Sequence, residues 1–475
     1  MKFLYLFPIL LLIYITGCRE AAEPVSLIKE IEKEISSGNL TLAMHDADSL
    51  KSSSGNDRKI FLKADSLYEI ARRIKIDFSL TPEEALASIG ENPGEIKNDQ
   101  IEKWEQKGWL ESRIIDGQKM YFNRAVSNLF LLRDFYEKSA SESIEDEEAF
   151  SRKTHTAEVI KASSHSGKIV EPKKIGIIYT ITVEKDAVPE NEIIRCWLPW
   201  PKSTHSRQGN IRLLKISQPE YSISPDTSIH STLFMQKKSE KGIPTVFSIE
   251  FEYETSAQWF EPDSILYIPY NKESDLYKKY TSEQLPHINF SSDVRMLADS
   301  ICGNEMNPVE CAFRIWRWFK KNIPWTGAIE YSVLPDITSY CISHMRGDCG
   351  IQTMTFMSML RYKGIPVRWQ SGWKIPPYGK NLHDWCEVYF EGTGWVPVDV
   401  SYDLQNTEDA KLRDFFMSGI DSYRLIINDG IAGTLWPIKE YLRSEPYDFQ
   451  RGEVEWKNGN IYFDKWDYEM KIVYK

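Results

Sequence analysis

The chain has 475 residues, enough for several domains, and its 42% hydrophobic and 27% charged content is that of ordinary globular protein. Its formal charge of −11 is spread along the chain with no basic stripe, which argues against a nucleic-acid partner.

The first segment, "MKFLYLFPILLLIYITGCRE", carries one lysine and an apolar run from Phe3 to Ile15. The run is shorter than the roughly 20 residues of a permanent membrane helix, so residues 1–17 are expected to be a signal peptide. Gly17 directly before Cys18 resembles a bacterial lipobox. The resemblance implies cleavage at Cys18, lipid attachment to it, and a cell-envelope protein facing the periplasm or the surface. The rival expectation is a signal peptide cut elsewhere. The other six cysteines (196, 302, 311, 341, 349 and 386) are scattered, without a CxxC pair, so no zinc site is indicated and disulfides are permitted. No metal and no cofactor is expected.

Residues 18–165 read as a mainly helical region, with apolar residues at three- and four-residue spacing. Thr81, Pro82 and Glu84 form a helix start, and residues 114–138 suggest a short hairpin followed by a helix. The polar stretch 161–174 reads as a linker. From 172 to 265, four or more short apolar or alternating runs bounded by Pro, Asn, Gly and Ser predict an antiparallel β-sandwich, read as a support domain. Helices return near 292, with Asn307 as N-cap, Pro308 at N1 and Glu310 at N3 of the second. Residues 406–475 read as a β-rich extension.

Chemistry concentrates in 280–405. Asp348 can cap a helix beginning at Cys349, which places the thiol at the positive end of the helix dipole, where thiolate is favoured. Downstream, "NLHDWCEVYF", "EGTG" and "WVPVDVSYD" read as a β-hairpin. A three-residue loop at 391–393 pairs 383 with 401 and leaves Asp399 a diagonal same-face neighbour of His383; a longer loop pairs them directly. Either register lets Asp399 hold an imidazole nitrogen. A nucleophile, a base and a group orienting that base make up the logic of thiol acyl transfer.

The order Cys-helix, "HDWCEVY", then "GWVPVD" resembles the transglutaminase-like superfamily, with gaps of 34 and 16 residues between Cys349, His383 and Asp399. The resemblance implies an α+β multidomain protein whose papain-like core uses these three residues as a catalytic triad. It also implies an oxyanion donor upstream of the cysteine, for which Trp325 and Tyr331 are the candidates. Trp373 and Trp385 are candidate walls of a substrate cleft. The expected activity is hydrolysis of peptide or protein amides through an acyl-enzyme. Glutamine–lysine cross-linking and a non-catalytic peptide- or glycan-binding lipoprotein are the alternatives. The expected partners are a peptide or protein substrate and the membrane, reached through the lipid on Cys18.

Overall fold

The computed structural model describes residues 24–90, 98–137, 147–164, 166–402 and 404–475; the signal segment and Cys18 lie outside them. The protein is a mixed helix-and-sheet, multidomain α+β molecule with an N-terminal helical region.

That region runs α1 (Pro24–Ser36), α2 (Leu40–Ser53), α3 (Arg58–Asp77), α4 (Pro82–Ile89) and α5 (Asn98–Gln106), then the hairpin β1 (Ser112–Ile115) and β2 (Gln118–Tyr121), then α6 (Ala125–Glu137) and α7 (Glu147–Ser163). The cap of α4 forms as its sequence indicates. Thr81 Oγ1 accepts the Glu84 N–H, and Glu84 Oε2 accepts the Thr81 N–H at 2.9 Å, so two orphan donors are satisfied reciprocally.

Next come β3 (Ser166–Val183), β4 (Ile193–Pro199), β5 (Gln208–Ile216), β6 (Tyr221–Ile223), β7 (Thr232–Lys238) and β8 (Thr245–Phe260). The expected linker over 161–174 is therefore corrected. Its first residues finish α7 and most of the remainder is the start of β3, paired with β8. Register shifts between Ser166 and Ile169 and between Val170 and Lys173 explain the misreading, because each irregularity breaks the two-residue alternation by which a strand is recognised.

The chain continues through α8 (Asp275–Tyr280), α9 (Ser292–Cys302), α10 (Pro308–Asn322), α11 (Ile337–His344), α12 (Cys349–Tyr362), β9 (Val367–Lys374), β10 (Asn381–Phe390) and β11 (Gly394–Val398). It closes with α13 (Ala410–Arg413), β12 (Gly419–Ile420), β13 (Arg424–Asn428), β14 (Glu453–Trp456), β15 (Gly459–Ile461) and β16 (Trp466–Tyr474). A disulfide joins Cys302 to Cys311, across the turn from α9 to α10. Cys196, Cys341 and Cys386 are buried free thiols.

Three larger sheets organise these strands. One has the order β11-β10-β9-β13, a second β12-β8-β3-β16 with β5 also on β8, and a third β15-β14-β4-β7-β6. The last residues thus belong to both sandwich sheets: β16 pairs with β3 from Trp466 to Tyr474, and β14 pairs with β4. Tyr179, Trp197, Phe247 and Phe251 fill the sandwich interior, and Trp373, Ile375, Leu425 and Ile427 of the neighbouring sheet share that core. Against β9 and β10 of that sheet packs α12, buried all round like a central helix of a large core.

Truncation after Gly452 removes Val454, Ile461, Trp466 and Met470 from the sandwich core. At roughly 1.5–3 kcal/mol for each large buried side chain, the loss is comparable with a whole domain's stability of about 5–15 kcal/mol. The truncated chain is expected to lack the cooperative thermal transition of the full chain by circular dichroism; an unchanged transition would refute the packing described.

Candidate active site

Cys349 is fixed by the start of α12. Asp348 is the N-cap, with Oδ1 accepting the Ile351 N–H at 3.0 Å and the Tyr331 hydroxyl at 2.6 Å. Gly350 follows because nothing larger fits: a Cβ there would stand 2.1 Å from Tyr331 Oη and 2.8 Å from Asp384 Oδ2. Residue 325 crosses beside this turn, where Trp325 bridges to Gly347 in parallel fashion.

The hairpin adopts the three-residue-loop register. Phe390 opposes Gly394, Tyr389 opposes Trp395 and Cys386 opposes Val398, which makes Asp399 a diagonal neighbour of His383. His383 Nε2 lies 2.7 Å from Asp399 Oδ2. The same carboxylate oxygen accepts from Arg424 Nη1 at 2.9 Å, and Oδ1 accepts from the N–H and hydroxyl of Ser401. Trp316 Nε1 donates to the Asp399 carbonyl at 3.0 Å. The imidazole lies nearly parallel to the ring of Trp385, with centroids 6.1 Å apart.

These contacts decide the charges. Burial alone would raise the Asp399 carboxyl, but His383 and Arg424 beside it hold it well below the usual carboxylate range. Burial lowers His383 below an ordinary histidine, an effect that Asp399 only partly offsets. The thiol goes the other way. Burial pushes Cys349 up, and Asp384 and Asp348 push it further. Its Sγ donates to Asp384 Oδ2 at 3.2 Å. The expectation that the helix start favours thiolate is thus outweighed in the resting protein, since a dipole worth about 0.3–1 kcal/mol competes with desolvation and two nearby carboxyls.

Asp384 was not assigned a role from the sequence, although a signal was there. By alternation it shares a face with Cys386 and Val388, both fully buried, and a lone carboxyl on an apolar face calls for a reason. Gln450 Nε2 donates to its Oδ1 at 2.7 Å. Burial and the adjacent Asp448 push Asp384 well above its ordinary value, so this carboxyl pair retains a proton.

Two cavities meet at the thiol. One, of about 270 Å³, is lined by Tyr331, Asp348, Asp384, Glu330 and Arg451. The other, of about 400 Å³, is lined by His383, Lys374, Tyr402, Arg152 and Phe135. Cys349, Trp325, Asn381 and Leu382 border both. Of the two oxyanion candidates, Trp325 is 41% exposed at this junction, while the Tyr331 hydroxyl is engaged by Asp348. The two expected cleft tryptophans are corrected. Trp373 is fully buried, packs on Tyr179 and donates to the Gln450 carbonyl. Trp385 is fully buried and donates to Gln370 Oε1 at 2.7 Å. Both rings lie in the interior because the sandwich and the residues after 405 cover the sheet faces they occupy.

Residues 295–400 match the model of the transglutaminase-like superfamily core. The chain carries a transglutaminase-like domain. An uncharacterised Haemophilus influenzae protein is 28% identical over 155 residues, which are 28% of this chain and 41% of that relative. The chain thus spans under half of the curated relative it matches. Among solved structures, a proposed cysteine protease from Cytophaga hutchinsonii aligns with a TM-score of 0.44 at 14% identity, covering 65% of this chain and 92% of that one. The periplasmic domain of TgpA from Pseudomonas aeruginosa, bound to ethylmercury, aligns at 0.25 and 13% identity, covering 54% and 97%. Among the described residues, no helix is long and apolar enough to cross a membrane.

Two outcomes follow from the charges. Arg424→Met leaves Asp399 and Asp421 buried without their shared cation and is expected to cost about 3–5 kcal/mol in urea unfolding. Asp384→Asn takes away the carboxyl that accepts from the thiol and leaves the pair's single negative charge on Asp448, so alkylation of Cys349 at pH 7 should quicken about tenfold, the equivalent of one pKa unit. A rate equal to or below wild type would show that the carboxyl does not hold the thiol neutral.

Proposed function

We propose that this chain is a cysteine-dependent acyl-transfer enzyme that hydrolyses peptide or protein amide bonds in the bacterial cell envelope. The observation that carries the reading is the 2.7 Å bond between His383 and a fully buried Asp399, with that imidazole facing the same cavity as Cys349 inside a transglutaminase-like domain. Cys349 is the nucleophile, His383 the base and later the acid, and Asp399 the group that fixes the imidazole and balances its charge. The Cys349 sulfur bonds to the substrate carbonyl carbon as its proton passes to His383. The C–N bond then breaks, the amine leaves with that proton, and water releases the acyl group from sulfur. First-turn N–H groups of α12 and the indole of Trp325 are the proposed donors to the oxyanion.

Water is always present, whereas cross-linking needs a bound amine, so hydrolysis is the favoured outcome. Lipid attachment at Cys18 and a place in the envelope rest on the signal-like N-terminus. Peptide or protein is the proposed substrate, and the membrane is reached through that anchor. A second reading, a binding protein without turnover, draws on the resting thiol's bond to Asp384.

A peptide library incubated with the protein, with and without methylamine, separates these readings by mass spectrometry. Hydrolysis gives free acids, transamidation gives methylamides, and a pure binder gives neither. Cys349→Ala should abolish products and His383→Ala should lower kcat by about 10²–10⁴. Because burial depresses His383 and its neutral form is the base, activity should rise with pH through a midpoint below ~6.5 and then hold. A midpoint above that value would contradict the assigned base.

A further inference from the structure

The cavity on the His383 side is lined by two cations, Lys374 and Arg152, and by the carboxylate of Glu148, which is 44% exposed. Lys374, at the end of β9, is half-buried with its Nζ 4.4 Å from the centroid of the Tyr402 ring, and among the described residues it has no ion pair. Arg152, on α7, lies 5.2 Å from the same ring. Its Nε is buried without a hydrogen-bond partner, and its nearest carboxylate, Glu148, is at 3.9 Å. Tyr402 itself is buried and stacks on Phe416 at 4.2 Å, so the platform under both cations is rigid. Arg424, the third cation at this ring, is already matched by Asp399 and Asp421. Two desolvated cations converging on a cavity, one with a buried unused donor, constitute an anion-binding arrangement.

Which part of a substrate occupies this cavity follows from the chemistry. The group that protonates the leaving amine must stand beside it, and His383 lines this cavity but not the other. We infer that the His383-side cavity is an anion subsite in which Lys374 and Arg152 hold a carboxylate borne by the leaving-amine part of the substrate, either the C-terminal carboxylate of a peptide or an acidic side chain next to the scissile bond. This rests on the acyl-transfer reading of Cys349 and His383. It also makes the N-terminal helical region, through α7, part of substrate selection.

Three alkylating probes test it on the full chain, with modification read on the Cys349 peptide by mass spectrometry: N-iodoacetylalanine, the α-amide of N-iodoacetylglutamate, and neutral N-iodoacetylalaninamide. At least one acidic probe is expected to label Cys349 about tenfold faster than the neutral one, and the faster acid names the source of the carboxylate. The ratio of acidic to neutral rate should fall towards one in Lys374→Gln and Arg152→Gln, persist in Lys374→Arg, and shrink with added salt. Equal rates for all three probes, or an acidic advantage that survives in the Lys374→Gln/Arg152→Gln double variant, would overturn the inference. The neutral rate alone reports thiol activation. A neutral rate that is unchanged in His383→Ala, with a preserved ratio, would therefore fail the acyl-transfer reading while leaving the anion subsite in place.

Discussion

The site depends on one buried negative charge. Asp399 is fully removed from solvent, and a carboxylate so placed persists only if paired and hydrogen-bonded on every side. It is: His383 and Arg424 share one oxygen, Ser401 takes the other, and Trp316 binds the carbonyl. Those partners come from β10, β13, the loop after β11, and α10. Satisfying this one group therefore ties together four stretches of chain over more than a hundred residues. Arg424 is held in turn by Asp421, so the charge that balances Asp399 is fixed beyond the residues that match the superfamily core.

This explains how much the sequence could disclose. The hairpin was legible because loop length and strand alternation are local properties; two registers stayed open, and both kept Asp399 within reach of His383. The helix starts at Thr81, Asn307 and Asp348 were legible for the same reason, since a cap is a contact over three residues. Arg424 and Gln450 were not. Their partners are distant in sequence, and no periodicity signals that a cation 25 residues after Asp399 returns to it. The tryptophans failed differently. Alternation states which residues share a face but not whether that face is open, and Trp373 and Trp385 lie under elements supplied from elsewhere in the chain.

The thiol shows two effects of opposite sign acting on one atom. A cysteine at a helix N-terminus gains from the dipole, and the sequence presents that factor alone. The folded chain adds desolvation and the carboxyls of Asp384 and Asp348, which prevail and leave a neutral thiol donating to Asp384. A preformed thiolate–imidazolium pair is then not the resting state. In the proposed reaction, proton transfer to His383 accompanies attack, and the depressed basicity of the imidazole suits a base that is neutral while it waits. Gly350 is what permits this arrangement, because any side chain there would displace Tyr331 and Asp384 from the turn.

The helical N-terminal region, the part whose sequence said least, is bound to the same loop that flanks the thiol. Asn128 clamps both backbone groups of Gly327, Asp77 accepts the Glu330 N–H, and Glu111 pairs with Arg346 two residues before the α12 cap. Each bond ties residues of 324–331 or 346–348 to the first hundred and forty residues. The position of Trp325 relative to Cys349 is thus set as much by α3 and α6 as by the transglutaminase-like domain itself. Burying Asp77 raises its carboxyl to about 7, through desolvation first and then the nearby Glu330, so this clamp is partly protonated near neutrality. A group that titrates there is a poor source of stability but a sensitive one. The loop beside Cys349 is consequently held in part by a contact whose charge changes near neutrality, whereas the amide pairing at Asn128, which carries no charge, holds across that range.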